Sequence, residues 1–217
     1  MTCALVMSSF DIPTHSMSGF LLRYIATRVE PFQLYGPLAR RPFFTAIAPA
    51  ADVIIADGHG EMDELSAQGE SLIWKAGQYN VREVQGKVIK LLACQTGAVL
   101  GPDLVQHGAR CFMGYDDDIA WIVDSSYYGQ PWDDPYAKAC ILPVMDSLQA
   151  LLDGKTCGEA IAIERAGYLA NAQATDFPLL RACLEFNERH SVLIGDPTAT
   201  IRSRPRVSLP APPPLLI

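Results

Sequence analysis

The sequence predicts an α/β protein, a three-layer αβα sandwich with a mostly parallel central sheet. Short apolar runs recur at residues 4–7, 53–56, 88–93 and 111–114, and longer amphipathic stretches separate them, the alternation from which α/β folds are built. The runs are continuous rather than polar at every second position, as strands are when helices cover both faces of a sheet. A content of 49% hydrophobic and 19% charged residues over 217 positions marks a globular chain. Such a chain can bury about 70% of its unfolded surface, enough for a core without disulfides or a metal.

In chain order, residues 18–29 read as the first crossover helix and 102–107 as a short one with Pro102 at a first helical position. Residues 116–135 are rich in Asp, Gly, Pro and aromatics and read as a long loop. Helices are expected over 136–152 and 157–172, divided by Asp153-Gly154-Lys155-Thr156, a helix stop followed by a Thr N-cap with Glu159 completing a capping box. A further helix over 178–190, a short strand at 191–194 and the turn Gly195-Asp196-Pro197 close the pattern. Residues 1–201 are read as one domain, and 202–217, with five prolines, as an extended or disordered tail.

A formal charge of −7 and a sequence pI near 5.0 argue against an electrostatic hold on nucleic acid, which relies on clustered Lys and Arg to displace counterions. No apolar run approaches the ~20 residues of a membrane span, so neither nucleic acid nor membrane is expected as a partner. Six cysteines are scattered without a CxxC pair, and the N-terminus lacks the basic start and apolar core of a signal peptide. A reducing, cytoplasmic setting is therefore expected. Cys3, Cys140, Cys157 and Cys183 stand among apolar neighbours as small buried hydrophobes. His107 and Cys111 have no second pair to complete a zinc set, and no cofactor fingerprint is present, so neither metal nor cofactor is expected.

Two motifs carry chemistry. Val53-Ile54-Ile55-Ala56-Asp57-Gly58-His59-Gly60 places a histidine between glycines directly after a buried strand, at the carboxyl edge where open α/β sheets bind ligands. Lys87-Val88-Ile89-Lys90-Leu91-Leu92-Ala93-Cys94-Gln95-Thr96-Gly97 delivers a cysteine to the end of another strand, 35 residues later. A thiol is a weak nucleophile until an imidazole takes its proton, and parallel neighbouring strands would put this pair on one edge. Taken alone, each motif reads equally as a tight turn containing a histidine and as one more buried strand cysteine.

Together the motifs resemble the caspase-like superfamily of cysteine peptidases (clan CD), which includes caspases, gingipains, separases and CHAT domains. Asp57-Gly58-His59-Gly60 is similar to its histidine motif, and Leu91-Leu92-Ala93-Cys94-Gln95-Thr96-Gly97 to the CHAT cysteine motif. The stretches 106–114 and 151–160, and Val192-Leu193-Ile194-Gly195-Asp196-Pro197-Thr198, resemble later segments of gingipain-type and CHAT domains. The resemblance implies a caspase-hemoglobinase-like fold and a cysteine endopeptidase with His59 as base and Cys94 as nucleophile, acting through a thioester on a protein or peptide substrate. It further implies an oxyanion hole from the N–H groups of Gly60 and Cys94, with donors worth ~3 kcal/mol each, no obligatory third catalytic residue, and regulation by self-processing or a protein partner.

Leu92 and Ala93 stand where several members carry an acid that binds a basic substrate residue. The six aspartates between Tyr115 and Pro135 offer a substitute. Asp116, Asp117, Asp118 and Asp124 are candidates to pair with a basic substrate side chain, and Trp121 to pack on the substrate chain; the plainer reading of the same stretch is a solvated acidic loop. Asp57 is a candidate to tune the imidazole or contact substrate, or else a solvated acceptor before the turn. The rival to an enzyme is a catalytically silent caspase-like module that binds a protein partner through the same cleft.

Overall fold

The computed structural model describes residues 2–29 and 31–201; the proline-rich 202–217 lies outside the described residues. Nine strands and six α-helices follow one another among these residues: β1 (Cys3–Met7), α1 (Ile12–Tyr24), β2 (Pro31–Tyr35), α2 (Arg41–Ile47), β3 (Val53–Asp57), β4 (His59–Glu61), β5 (Glu64–Ala67), β6 (Ser71–Lys75), β7 (Val88–Leu92), α3 (Leu100–Gln106), β8 (Cys111–Tyr115), α4 (Pro135–Leu152), α5 (Cys157–Ala174), α6 (Pro178–His190) and β9 (Ser191–Gly195). Six strands form the main sheet in the order β2-β1-β3-β7-β8-β9. All its pairings are parallel except that of β8 with β9, which is antiparallel.

The continuous apolar runs have a direct explanation in the two cores. Successive side chains of a strand point to opposite faces. Leu5, Ile55, Val88 and Met113 enter one core with Phe20 of α1 and residues of α4, α5 and α6; Ala4, Val6, Ile54, Ile89 and Phe112 enter the other with Phe44 of α2, Leu100 and Leu104 of α3, and Trp74. Lys90 points into the first core at full burial, where Nζ meets Glu164 Oε2 at 2.6 Å, and Glu164 Oε1 in turn accepts from the Tyr115 hydroxyl at 2.7 Å. A charge in mid-strand is tolerated because α5 brings its partner across the layer.

The capping box at the start of α5 forms as expected, with Thr156 Oγ1 accepting from Glu159 N and Glu159 reaching back to Thr156 N. α6 matches its expected bounds. Elsewhere the structure corrects the sequence reading. α1 begins at Ile12 rather than residue 18, because Asp11 caps it and Pro13 occupies its first turn, and it stops at Tyr24 rather than 29. β2, α2 and the small antiparallel sheet β4-β5-β6 were not anticipated; each element is short, and the hairpin is half exposed. No described helix is long and apolar enough to cross a membrane.

Candidate active site

β3 and β7 are parallel neighbours in the sheet, and Asp57, the last residue of β3, is level with Leu92, the last of β7. His59 and Cys94 each lie two residues beyond, so both emerge at the same carboxyl edge. They line one cavity of about 200 Å³ together with Pro13, Thr14, Met17, Gly58, Leu92, Ala93, Ile119 and Trp121. The glycines on either side of the histidine are required by close backbone approach: a Cβ on Gly58 would lie 2.0 Å from the Ser66 carbonyl oxygen, and one on Gly60 would lie 2.1 Å from that of Cys94. The histidine loop is thus packed directly on the cysteine loop.

The imidazole is held by a residue the sequence reading did not single out. His59 Nε2 lies 2.5 Å from Asp11 Oδ2. The other oxygen, Oδ1, accepts from the amide and hydroxyl of Thr14 at 3.0 and 2.6 Å, which fixes the carboxylate to the first turn of α1. Partial burial pushes the Asp11 carboxyl up, but its bonds from Thr14 and His59 outweigh this and hold it below the usual carboxylate range. Phe10 places its ring edge-on to the imidazole with centroids 5.5 Å apart. The local signal for this is Asp11-Ile12-Pro13-Thr14, a capping box with an early proline that starts α1 six residues before the expected residue 18.

Asp57 is corrected in the opposite sense. It is neither solvated nor within reach of a substrate: it is fully buried, with Oδ1 accepting from Ser8 N at 2.5 Å and Oδ2 lying 2.7 Å from Ser18 Oγ. Ser18 Oγ also contacts the Ser8 carbonyl oxygen. One hydroxyl proton cannot serve two acceptors, so a protonated Asp57 Oδ2 donating to Ser18, which donates to Ser8, satisfies every group. Desolvation pushes the Asp57 acid up to about 8 against the lowering bonds from Ser18 and Ser8, with the Asp11 charge adding to the rise.

Cys94 is half buried, and its Sγ accepts from Ile119 N at 3.4 Å. Burial raises its thiol pKa, the Ile119 amide opposes this, and the nearby Asp118 carboxylate adds to the rise. Gln95 takes a left-handed backbone (φ 57°), donating its N–H to Asp117 O and its side-chain amide to Asp118 Oδ1. A non-glycine residue in that conformation beside a nucleophile candidate is where backbone strain collects in functional sites.

The remaining candidates divide. Trp121 lines the cavity. Asp118 stands at the cysteine loop through Gln95, and Asp117 accepts the Asp118 N–H. Asp116 bonds His190 Nδ1 at 2.9 Å, and Asp124 caps a single helical turn by accepting from Ser126 N at 2.9 Å. None of the four carboxylates lines the cavity, although Asp118 stands close enough to the Cys94 thiol to raise its pKa.

Comparison with known proteins puts this geometry in context. No family model and no curated sequence matches the chain. Among solved structures, the complex of the pro- and mature domains of RgpB from Porphyromonas gingivalis aligns over 93% of this chain and 48% of its own, at a TM-score of 0.55 and 12% identity. The Arg-specific cysteine proteinase gingipain R (RgpB) aligns over 93% and 46%, at 0.51 and 14%. The fold is gingipain-like and caspase-type. This chain spans about half the length of the gingipain chains it matches.

Proposed function

We propose that the chain is a cysteine endopeptidase in which Cys94 is the nucleophile, His59 the base and Asp11 the residue that orients the base. The observation that carries the reading is the delivery of His59 and Cys94, by adjacent parallel strands, to one cavity of a gingipain-like fold. With Nε2–H donated to Asp11, the lone pair resides on Nδ1, which takes the thiol proton. The thiolate adds to the peptide carbonyl carbon, and the oxygen gathers negative charge against the N–H groups of Gly60 and Cys94. Collapse expels the amine, which takes the proton from the imidazolium, and leaves a thioester. Water, deprotonated by His59, hydrolyses the thioester and frees the thiol. Because Cys94 rests as a thiol held up by burial, attack depends on the base rather than on a standing thiolate.

Intact-mass spectrometry after exposure to peptidyl acyloxymethyl ketones tests the proposal. Stoichiometric labelling of the wild type, abolished in Cys94→Ala and slowed on the order of a hundredfold or more in His59→Ala, is the expected result. In Asp11→Asn the labelling rate should fall about tenfold, with its pH profile displaced. Labelling of Cys94 that is indifferent to His59, or absent with every ketone, would refute the enzyme and leave the rival reading of a silent module that holds a protein partner in this cleft.

A further inference from the structure

We infer that the cavity beside the dyad is the specificity pocket for an uncharged, apolar side chain, with Met17, Ile119 and Trp121 as its determinants. This rests on the proposed role of Cys94: a carbonyl presented to its sulfur, in a cavity lined by both Cys94 and His59, directs the side chain of the residue that carries this carbonyl inward. Met17 comes from α1 and is almost fully buried, whereas Ile119 and Trp121 come from the loop after β8 and pack against the same core. Leu92 contributes from the end of β7 and Ala93 from the residue after it.

Polar side chains on the walls are few and already engaged. The Thr14 hydroxyl donates to Asp11, and His59 bonds Asp11. No acid is part of the lining, and Glu61, Glu64 and Glu70 line a separate groove that shares only His59 with this cavity. Asp57 is sealed beneath Gly58 by Ser8 and Ser18, Asp11 is held by Thr14 and His59, and Asp118 accepts from Gln95 and is not part of the lining. A guanidinium or ammonium entering the cavity would lose water against apolar walls, the Asp118 carboxylate standing beside the Cys94 thiol but outside the lining, and a carboxylate would lose water and be repelled by that same Asp118. In volume, about 200 Å³ suits a leucine, methionine or phenylalanine side chain, since an apolar cavity of roughly 150 Å³ accommodates benzene.

The decisive measurement compares the rates at which acyloxymethyl ketones label Cys94 when they share one peptide and differ only in the final side chain: Leu, Phe, Arg, Lys or Asp. The Leu and Phe reagents are expected to react on the order of a hundredfold faster than the charged ones. Ile119→Asp adds a carboxylate to the wall while keeping the backbone N–H on Cys94, and should shift the preference toward Arg by about tenfold or more. Met17→Glu supplies the charge from α1 instead should the first variant not fold. Arg or Lys reacting as fast as Leu in the wild type would overturn the assignment.

A second arm needs no catalysis: calorimetric binding of the same sequences, as peptide amides, to Cys94→Ala. Apolar peptides binding about tenfold tighter than the Arg or Asp peptides upholds the pocket even if no ketone labels the wild type, an outcome that would count against the peptidase alone. Equal or reversed affinities would sink the pocket whatever the labelling shows.

Discussion

Replacing Asp57 by Asn should stabilise the protein at neutral pH and remove a pH dependence that the wild type carries. In the fold the acid is pushed up to about 8 from its ordinary 3.8, chiefly by desolvation. A group whose pKa is raised on folding costs nothing below its unfolded value, where both states hold the proton. Its stabilising share is then lost as pH rises, from about 4 until the folded value near 8 is passed. Each pH unit across that window is worth about 1.4 kcal/mol, so by pH 7 the loss is about 4 kcal/mol. Asn keeps the neutral acid's bonds with one amide N–H more than the acid carries: Oδ1 accepts from Ser8 N, and one N–H donates to Ser18 Oγ, leaving the Ser18 proton for the Ser8 carbonyl. The second N–H costs about 1–3 kcal/mol if it stays unpaired, less than the loss it removes. Urea unfolding of both proteins at half-unit steps from pH 5 to 8.5 gives the difference in stability, in which the other titrating groups cancel. The difference should grow in favour of Asn by roughly 1 kcal/mol or more per unit up to about pH 7.5. A difference that stays flat over that range, or an Asn variant less stable than wild type at pH 7.5, would refute the neutral, buried acid.

Two other outcomes follow from the packing. Gly60→Ala places a Cβ 2.1 Å from the Cys94 carbonyl oxygen; relieving that overlap should cost about 1–3 kcal/mol in chemical denaturation and slow ketone labelling of Cys94 on the order of a hundredfold by displacing the two loops. Lys90→Met leaves the fully buried Glu164 with only the Tyr115 hydroxyl, so it should lose about 3–5 kcal/mol, whereas Lys90→Met combined with Glu164→Leu should recover most of it, because Tyr115 and Tyr168 still bond each other at 2.8 Å. A double variant as unstable as the single one would show that the ion pair itself, not an orphaned charge, holds α5 to the sheet.

Much of this molecule is written locally in its sequence. The apolar runs of β1, β3, β7 and β8 announce strands buried on both faces, Thr156 and Glu159 mark the start of α5, and His59 and Cys94 stand at strand ends beside glycines. Hydrophobic patterning and capping are short-range physics, and neighbouring residues suffice to express them. Which carboxylate serves the imidazole is another matter. Asp57, two residues from His59, looks the natural partner, yet β1 and α1 fold Ser8 and Ser18 over it and take it out of water. Asp11, 48 residues away, reaches the ring only because β1 lies beside β3. The same holds for the apolar cavity, whose walls come from α1, the ends of β3 and β7 and the loop after β8. The acidic stretch after Tyr115 invites a basic ligand when read in one dimension, and in three it turns Ile119 and Trp121 inward while its aspartates bond His190, Gln95 and Ser126. The burial and charge state of a polar side chain depend on what the rest of the chain brings against it, and so only the tertiary structure decides them.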